Sequence, residues 1–236
     1  MSIDRRRFLT VTAASITGSV LAACDKNPER AQSLLRLAER ANERVEGGLF
    51  RHAAMNHVSA SAPVAGSSFP KYFISPRVPV WDAAANGAWR LEVSGAVRRP
   101  LSLSLDDLMK LPRVTQKVDH FCVEGWNARA IWSGVRVSDL ARAAQITPDA
   151  QFVDFAGFDK DYHESWDMES AMHPQTLVAY GMDGYLLTPA HGAPARVHSP
   201  VKLGYKNTKY LTRVVFMPMR NGGFWSDQGY EWYAGT

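Results

Sequence analysis

An α+β fold, mixed and rich in strand, is predicted from three features of this chain. Short runs of β-branched and aromatic residues are mixed with short capped helical segments, whereas a doubly wound sheet would alternate strands with long helices. Asp183-Gly184 between two apolar runs is a hairpin signal. With 46% hydrophobic residues and seven tryptophans in 236 residues, the chain can build one core of ordinary size.

The elements follow in order. Asp4-Arg5-Arg6-Arg7-Phe8-Leu9-Thr10 precedes a weakly apolar run over residues 11–23, the layout of a twin-arginine export signal. That run is too short to span a bilayer, which takes roughly 20 apolar residues. It ends in Leu21-Ala22-Ala23-Cys24, which resembles a lipobox cleaved before a lipidated Cys24, and Asp25 resembles an inner-membrane retention signal. The expectation is export by the twin-arginine route, after folding and commonly with a cofactor aboard, to the periplasmic side with a lipid anchor.

Residues 1–23 form the signal, residues 24–68 a helical spacer and linker, and residues 69–236 the folded domain. Leu34, Leu35, Leu37, Ala38 and Ala41 predict an amphipathic helix over residues 28–46. Residues 47–68, rich in Gly, Ala, Ser and Pro, read as linker. Alternation predicts a strand over residues 89–95. Ser104 caps a short helix through Met109, and Ser138 caps another to about Gln145. Residues 151–155, 176–180, 185–187, 195–198 and 211–216 read as strands.

Loss of Arg5, Arg6, Arg7 and Asp4 with the signal lowers the formal charge from +4 to about +2, which does not indicate nucleic-acid binding. The chain has no Cys-x-x-Cys, Gly-x-Gly-x-x-Gly, P-loop or Gly-x-Ser-x-Gly motif. His52, His57 and His163 read as polar surface groups. With Cys24 assigned to the lipid, Cys122 is the one thiol left in an exported protein, where cysteines normally pair. It reads as a small buried hydrophobe, a nucleophile with His120 or His191 as base, or a soft metal ligand. Downstream, residues 196–209 hold Arg196, Lys202, Lys206, Lys209 and Gly204, a set that can converge on a phosphate or lie on a solvated face.

Five motifs in order carry a resemblance: Phe121-Cys122-Val123-Glu124-Gly125-Trp126, Trp132-Ser133-Gly134-Val135, Ala171-Met172-His173-Pro174, His191-Gly192-Ala193-Pro194-Ala195-Arg196 and Gly204-Tyr205-Lys206-Asn207-Thr208-Lys209. With these the chain resembles the sulfite oxidase family of molybdopterin-dependent oxidoreductases, in particular its bacterial catalytic subunits of the periplasmic methionine sulfoxide reductase type. The resemblance implies a sulfite-oxidase-type molybdopterin-binding domain without the C-terminal β-sandwich of sulfite oxidases. It implies molybdenum on a single molybdopterin, with Cys122 as protein ligand. His191, Arg196, Asn207, Thr208 and Lys209 match positions that hold the pterin and its phosphate. Lys206 is a further anion contact, Gly157 stands where a relative uses threonine, and Tyr162 matches a tyrosine near the metal.

Departures from the family pattern bear on the substrate. Sulfite oxidases carry an anion-binding arginine five residues after the metal cysteine, where this chain has Asn127, with Arg129 out of register. Loss of one charge-assisted contact costs about 1.5–3 kcal/mol. Tyr72-Phe73-Ile74-Ser75-Pro76-Arg77 stands in place of an asparagine-aromatic pterin motif. The expectation is two-electron oxygen-atom transfer on a small S-oxide or N-oxide, with electrons exchanged with a separate cytochrome or membrane haem protein. A sulfite dehydrogenase-like enzyme and a cofactor-free binding lipoprotein are the alternatives. Glu124 and His120 are relay or loop-orienting candidates, and the aromatic C-terminal segment is core packing, a lid or a docking surface.

Overall fold

The computed structural model describes residues 28–49 and 69–236. The signal, Cys24, His52 and His57 lie outside the described residues. Helix α1 (Pro28–Leu49) forms a unit of its own. It runs through Gly47 and Gly48, past the expected start of the linker. Leu34, Leu35, Leu37 and Val45 are exposed on it, and Asn42 Nδ2 donates to Glu46 Oε1 at 3.0 Å one turn on. Among the described residues no helix is long and apolar enough to cross a membrane.

The second unit is built from two five-stranded sheets. One has the order β2 (Leu101–Leu103), β1 (Leu91–Gly95), β10 (Leu211–Met217), β5 (Phe152–Gly157), β6 (His163–Asp167). Leu91 and Val93 are buried and Glu92 is exposed, the period-two alternation that made this segment legible. Strand β1 pairs in parallel with β10, Val93 opposite Val214, while its other neighbour β2 is antiparallel.

The second sheet runs β3 (Arg113–Phe121), β4 (Asn127–Arg136), β7 (Leu177–Met182), β8 (Tyr185–Leu186), with β9 (Arg196–His198) on β7. The main core joins side chains of both sheets, among them Leu91, Val135, Phe155, Trp166, Val178, Val197 and Val214. Asp183 and Gly184, at φ 50° and 89°, make the predicted β7–β8 turn.

Short helices close the gaps: α2 (Ala83–Asn86), α3 (Leu105–Lys110), α4 (Val137–Ala144) and α5 (Met168–Met172). Ser104 caps α3 as expected, in a reciprocal box in which Asp107 N donates to Ser104 Oγ at 3.1 Å and Ser104 N to Asp107 Oδ2 at 3.2 Å. Ser138 does not cap α4. The helix begins at Val137 directly off β4, and Thr176 O accepts the Val137 amide at 3.1 Å, so Ser138 lies inside the first turn. His163 is half-buried, with Nδ1 2.8 Å from Asp154 Oδ1, where a surface position was expected.

The longest strands were not foreseen. Strands β3 and β4 form a hairpin in continuous register from Arg113 opposite Val135 to Phe121 opposite Asn127. Its tip is the Cys122 loop, closed by Cys122 N to Trp126 O at 2.9 Å and Gly125 N to Cys122 O at 3.0 Å.

Candidate active site

The thiol of Cys122 opens into a cavity of about 310 Å³ lined from five parts of the chain. The hairpin tip supplies His120, Cys122, Val123, Glu124 and Trp126; the segment from Phe69 to Ile74 crosses it; Arg196 and Lys209 reach it from the β9 side. Tyr162, Tyr205, Trp225 and Tyr230 complete it. Glu124 Oε2 lies 3.8 Å from Cys122 Sγ and accepts Trp126 Nε1–H at 2.8 Å, so this carboxylate orients the loop. Partial burial, with the nearby Glu124 charge, holds the thiol above its ordinary range. His120 is buried and stacks on His198, which stacks in turn on Trp132 with centroids 4.0 Å apart. Burial, then the Arg196 and Lys209 charges, push His120 down to about 3 and keep it neutral.

Arg196 is buried at the cavity wall with its guanidinium 5.0 Å over the Trp132 ring. Its N–H groups reach only carbonyls, those of His191 and Asn207 at 3.3 Å and Val197 at 3.4 Å. Lys209 Nζ donates to Ala190 O at 3.2 Å and to Tyr72 O, and burial followed by the Arg196 charge lowers it to about 7. The same causes, burial first and then Lys209 and Arg196, push His191 down to about 4. Neither Arg196 nor Lys209 forms an ion pair among the described residues. Nor do His191 Nδ1, Thr208 Oγ1 and Tyr210 OH find a hydrogen-bond partner there. Two cations held together with no direct ion pair, and with Asp159 as the nearby carboxylate, are costly in a low-dielectric site, so this wall suits an added anionic group.

The residues predicted for the cofactor divide. Cys122, Tyr162, Arg196, Asn207 and Lys209 line the cavity. The Asn207 side chain is nevertheless spent on the chain, accepting Ser199 N at 2.6 Å and donating to Lys202 O at 3.1 Å and Leu203 O at 3.0 Å. Lys206 is turned away from the cavity: its fully buried ammonium lies 2.6 Å from Glu164 Oε2. Lys202 is likewise engaged, 2.7 Å from Asp167 Oδ2. Four cations in fourteen residues thus leave two for the cavity, because Lys202 and Lys206 are drawn into buried pairs with Asp167 and Glu164. Gly157 lies outside the lining; a Cβ there would come 2.4 Å from Lys209 O, which leaves no room for threonine. Arg129 is committed to Asp119 through Nε at 2.6 Å.

Sequence reasoning missed Asp159 and the depth of the aromatic side. Asp159 is buried beside the cavity and takes the Ile74 amide at 3.3 Å and the Ser75 hydroxyl, which ties the 69–77 segment across it. Tyr162 donates to Tyr205 O, and burial pushes its phenol well above the ordinary range. It is therefore a neutral phenol held in the lining of the same cavity as the thiol.

Among the described residues no cluster of three or more His, Cys, Asp or Glu side chains could hold a metal ion. A metal at Cys122 would take one protein sulfur and the rest of its donors from a bound group. A soft thiolate with an anion-hungry wall fits molybdenum carried on a phosphorylated pterin. The model for the oxidoreductase molybdopterin binding domain matches residues 76–225. The chain is 37% identical over 234 residues to a putative protein-methionine-sulfoxide reductase subunit, YedZ1, of Azospira oryzae, covering 98% of this chain and 88% of that one. It is 32% identical over 166 residues to the protein-methionine-sulfoxide reductase catalytic subunit MsrP of Campylobacter jejuni, covering 62% of this chain and 56% of the relative. The matched part is thus only about half the length of MsrP. The sulfane dehydrogenase SoxCD of Paracoccus pantotrophus superposes with a TM-score of 0.53 at 25% identity, over 56% of this chain and 38% of that one. A thiol tip, a buried cationic wall and a family match over most of the domain agree: the chain belongs to the sulfite oxidase family and is a molybdenum–molybdopterin oxidoreductase.

Proposed function

We propose that this oxidoreductase transfers an oxygen atom from an uncharged S-oxide or N-oxide, with Cys122 as the molybdenum ligand. Arg196 and Lys209 would hold the pterin phosphate, with Thr208, His191 and the Tyr210 hydroxyl offering further polar contacts. The bound metal supplies a centre that changes oxidation level by two electrons and takes up the oxygen. A sulfoxide leaves as its thioether with water, consuming two electrons from a separate carrier and two protons. Tyr162 is positioned to hold a proton on its phenol oxygen, and Glu124 to orient the thiol loop.

One observation carries the substrate class. The cavity lining includes Val123, Trp126, Tyr162, Tyr205, Trp225 and Tyr230, with Glu124 and Asp159 as its carboxylates. Arg129, the cation nearest the expected anion-binding position in sequence, is paired with Asp119. A neutral, partly apolar oxide suits such walls, whereas sulfite would meet carboxylates while Arg196 and Lys209 are occupied by the pterin phosphate.

The N-terminal pattern and Cys24 support the further reading of twin-arginine export and lipid anchoring on the periplasmic side, where a cytochrome or membrane haem protein would deliver electrons. Residues 1–23, 24–68 and 69–236 then divide as signal, spacer and catalytic domain. Stoichiometric molybdenum, followed by a screen of sulfoxides, N-oxides and sulfite with a reduced viologen or a one-electron oxidant, tests the activity. Sulfite oxidation faster than any oxide reduction would overturn it. Replacement of Arg5 and Arg6 by Lys is expected to trap precursor in the cytoplasm.

A further inference from the structure

The segment after β10 returns to the open edge of β6 and adds a short antiparallel bridge. Glu164 opposes Gly223, Phe224 N donates to His163 O at 2.8 Å and Ser165 N to Gly222 O at 3.1 Å. At the centre of this bridge lies a carboxylate with no exposure. Glu164 takes the Lys206 ammonium at 2.6 Å and the Ser226 hydroxyl at 3.0 Å on Oε2, and the Trp225 amide at 2.8 Å on Oε1. The approach is so close that a Cβ on Gly223 would sit 2.2 Å from Oε2.

The clasped turn has one product, the placement of Trp225. Its ring packs on Tyr230 at 5.0 Å and on Phe224 at 5.3 Å. Phe224 stacks on Tyr162 at 5.2 Å, and Tyr205 fixes the far end through Tyr230 at 5.4 Å and a bond to Glu231 O. Trp225 therefore bounds the cavity and, through Phe224, backs the ring of Tyr162.

We infer that Trp225 is the size-determining residue of the substrate cavity, and that the buried Glu164–Lys206 pair is a positioning device that clamps its turn to the β6 edge. This rests on the proposed oxide reductase reading for its kinetic readout. Lys206, expected at the cofactor, thereby acts on the substrate side. A buried pair of this kind serves geometry better than net stability, since its desolvation offsets most of the attraction.

The test uses molybdenum-loaded enzyme, a reduced viologen and methyl sulfoxides of growing second substituent, from methyl to aryl. Trp225→Ala is expected to raise kcat/KM for the aryl sulfoxide relative to dimethyl sulfoxide by about tenfold, since one or two groups' worth of pocket volume discriminates on that scale. Trp225→Phe, which keeps an aromatic ring at this wall, retains the size preference. Glu164→Gln shifts size preference in the same direction as Trp225→Ala and speeds amide exchange at residues 223–226, leaving β10 protected. Unchanged size preference in Trp225→Ala at full molybdenum content overturns the assignment. Should Glu164→Gln fail to fold, Ser226→Ala, which removes one donor to the carboxylate, carries the exchange measurement. Absence of any oxide reduction in the parent enzyme would sink the substrate reading alone; unaltered exchange at residues 223–226 in the clamp variants would sink the clamp.

Discussion

The two walls of the cavity are built by opposite means. On the β9 side, Arg196 and Lys209 are buried charges whose partners are carbonyls, backed by the Trp132 and His198 stack. Elsewhere in the lining, Tyr162, Tyr205, Trp225 and Tyr230 are rings, and Glu164 and Lys206, which do not line the cavity, pair with each other. The first wall leaves its electrostatics unfinished and so favours an anion. The second is electrostatically complete and offers shape. Difference in ion pairing, more than in hydrophobicity, separates the wall proposed for the cofactor from the wall proposed for the substrate.

Breaking the junction of the two walls should have the largest effect. Cys122→Ser is expected to abolish turnover and remove the sulfur-to-metal absorption or the metal itself; an unchanged visible spectrum with full molybdenum would refute the ligand assignment. Next comes the cationic wall. Arg196→Ala removes a charge-assisted contact of about 1.5–3 kcal/mol, roughly 10- to 100-fold in pterin affinity. Pterin content should fall further than the melting temperature, and an equal loss of both would make Arg196 structural.

Lys209 sharpens the same wall through pH. Burial lowers its pKa to about 7, so the folded chain binds fewer protons there than the unfolded chain from about pH 7 up to the ordinary lysine range. Its burial cost in cofactor-free protein is thus full below pH 7 and is relieved as pH rises. A bound phosphate favours the protonated form, so pterin release should be slower at pH 6 than at pH 8.5, and Lys209→Gln should flatten that difference. The smallest effect belongs to the aromatic wall's margin. The Asp154 hydrogen bond raises the pKa of His163, whose carbonyl carries the Phe224 amide. That contribution is present below the ordinary imidazole pKa and is lost as pH rises through the raised value. Thermal melts of His163→Gln should lack this slight alkaline decline.

Much of the first wall was legible as sequence. Cys122, Arg196 and Lys209 are chemically distinctive and sit in short motifs whose local order survives folding. Lys206 was misplaced because neighbouring residues of a tight turn point in different directions, and its motif carries no sign of which one meets Glu164, forty-two positions earlier. The β3–β4 hairpin escaped notice because Arg113-Val114-Thr115-Gln116-Lys117 alternates weakly and β4 is rich in Ala, Gly and Arg, so its register came from pairing rather than propensity. The aromatic residues of the C-terminal segment were visible, but whether they packed inward or over a site depended on the edge of β6.

By itself the sequence determined the α+β class, the thiol singled out as the candidate metal ligand and the cations able to meet a phosphate, because residue identity and motif order are local properties. Only the tertiary structure decided which two of the four cations face the cavity, that Arg129 is committed to Asp119, and that Trp225 lines the cavity beside the Phe224 ring stacked on Tyr162. Those outcomes depend on burial and on partners distant in the chain, where each charge must find a counter-charge or a carbonyl before it can be free to bind anything else.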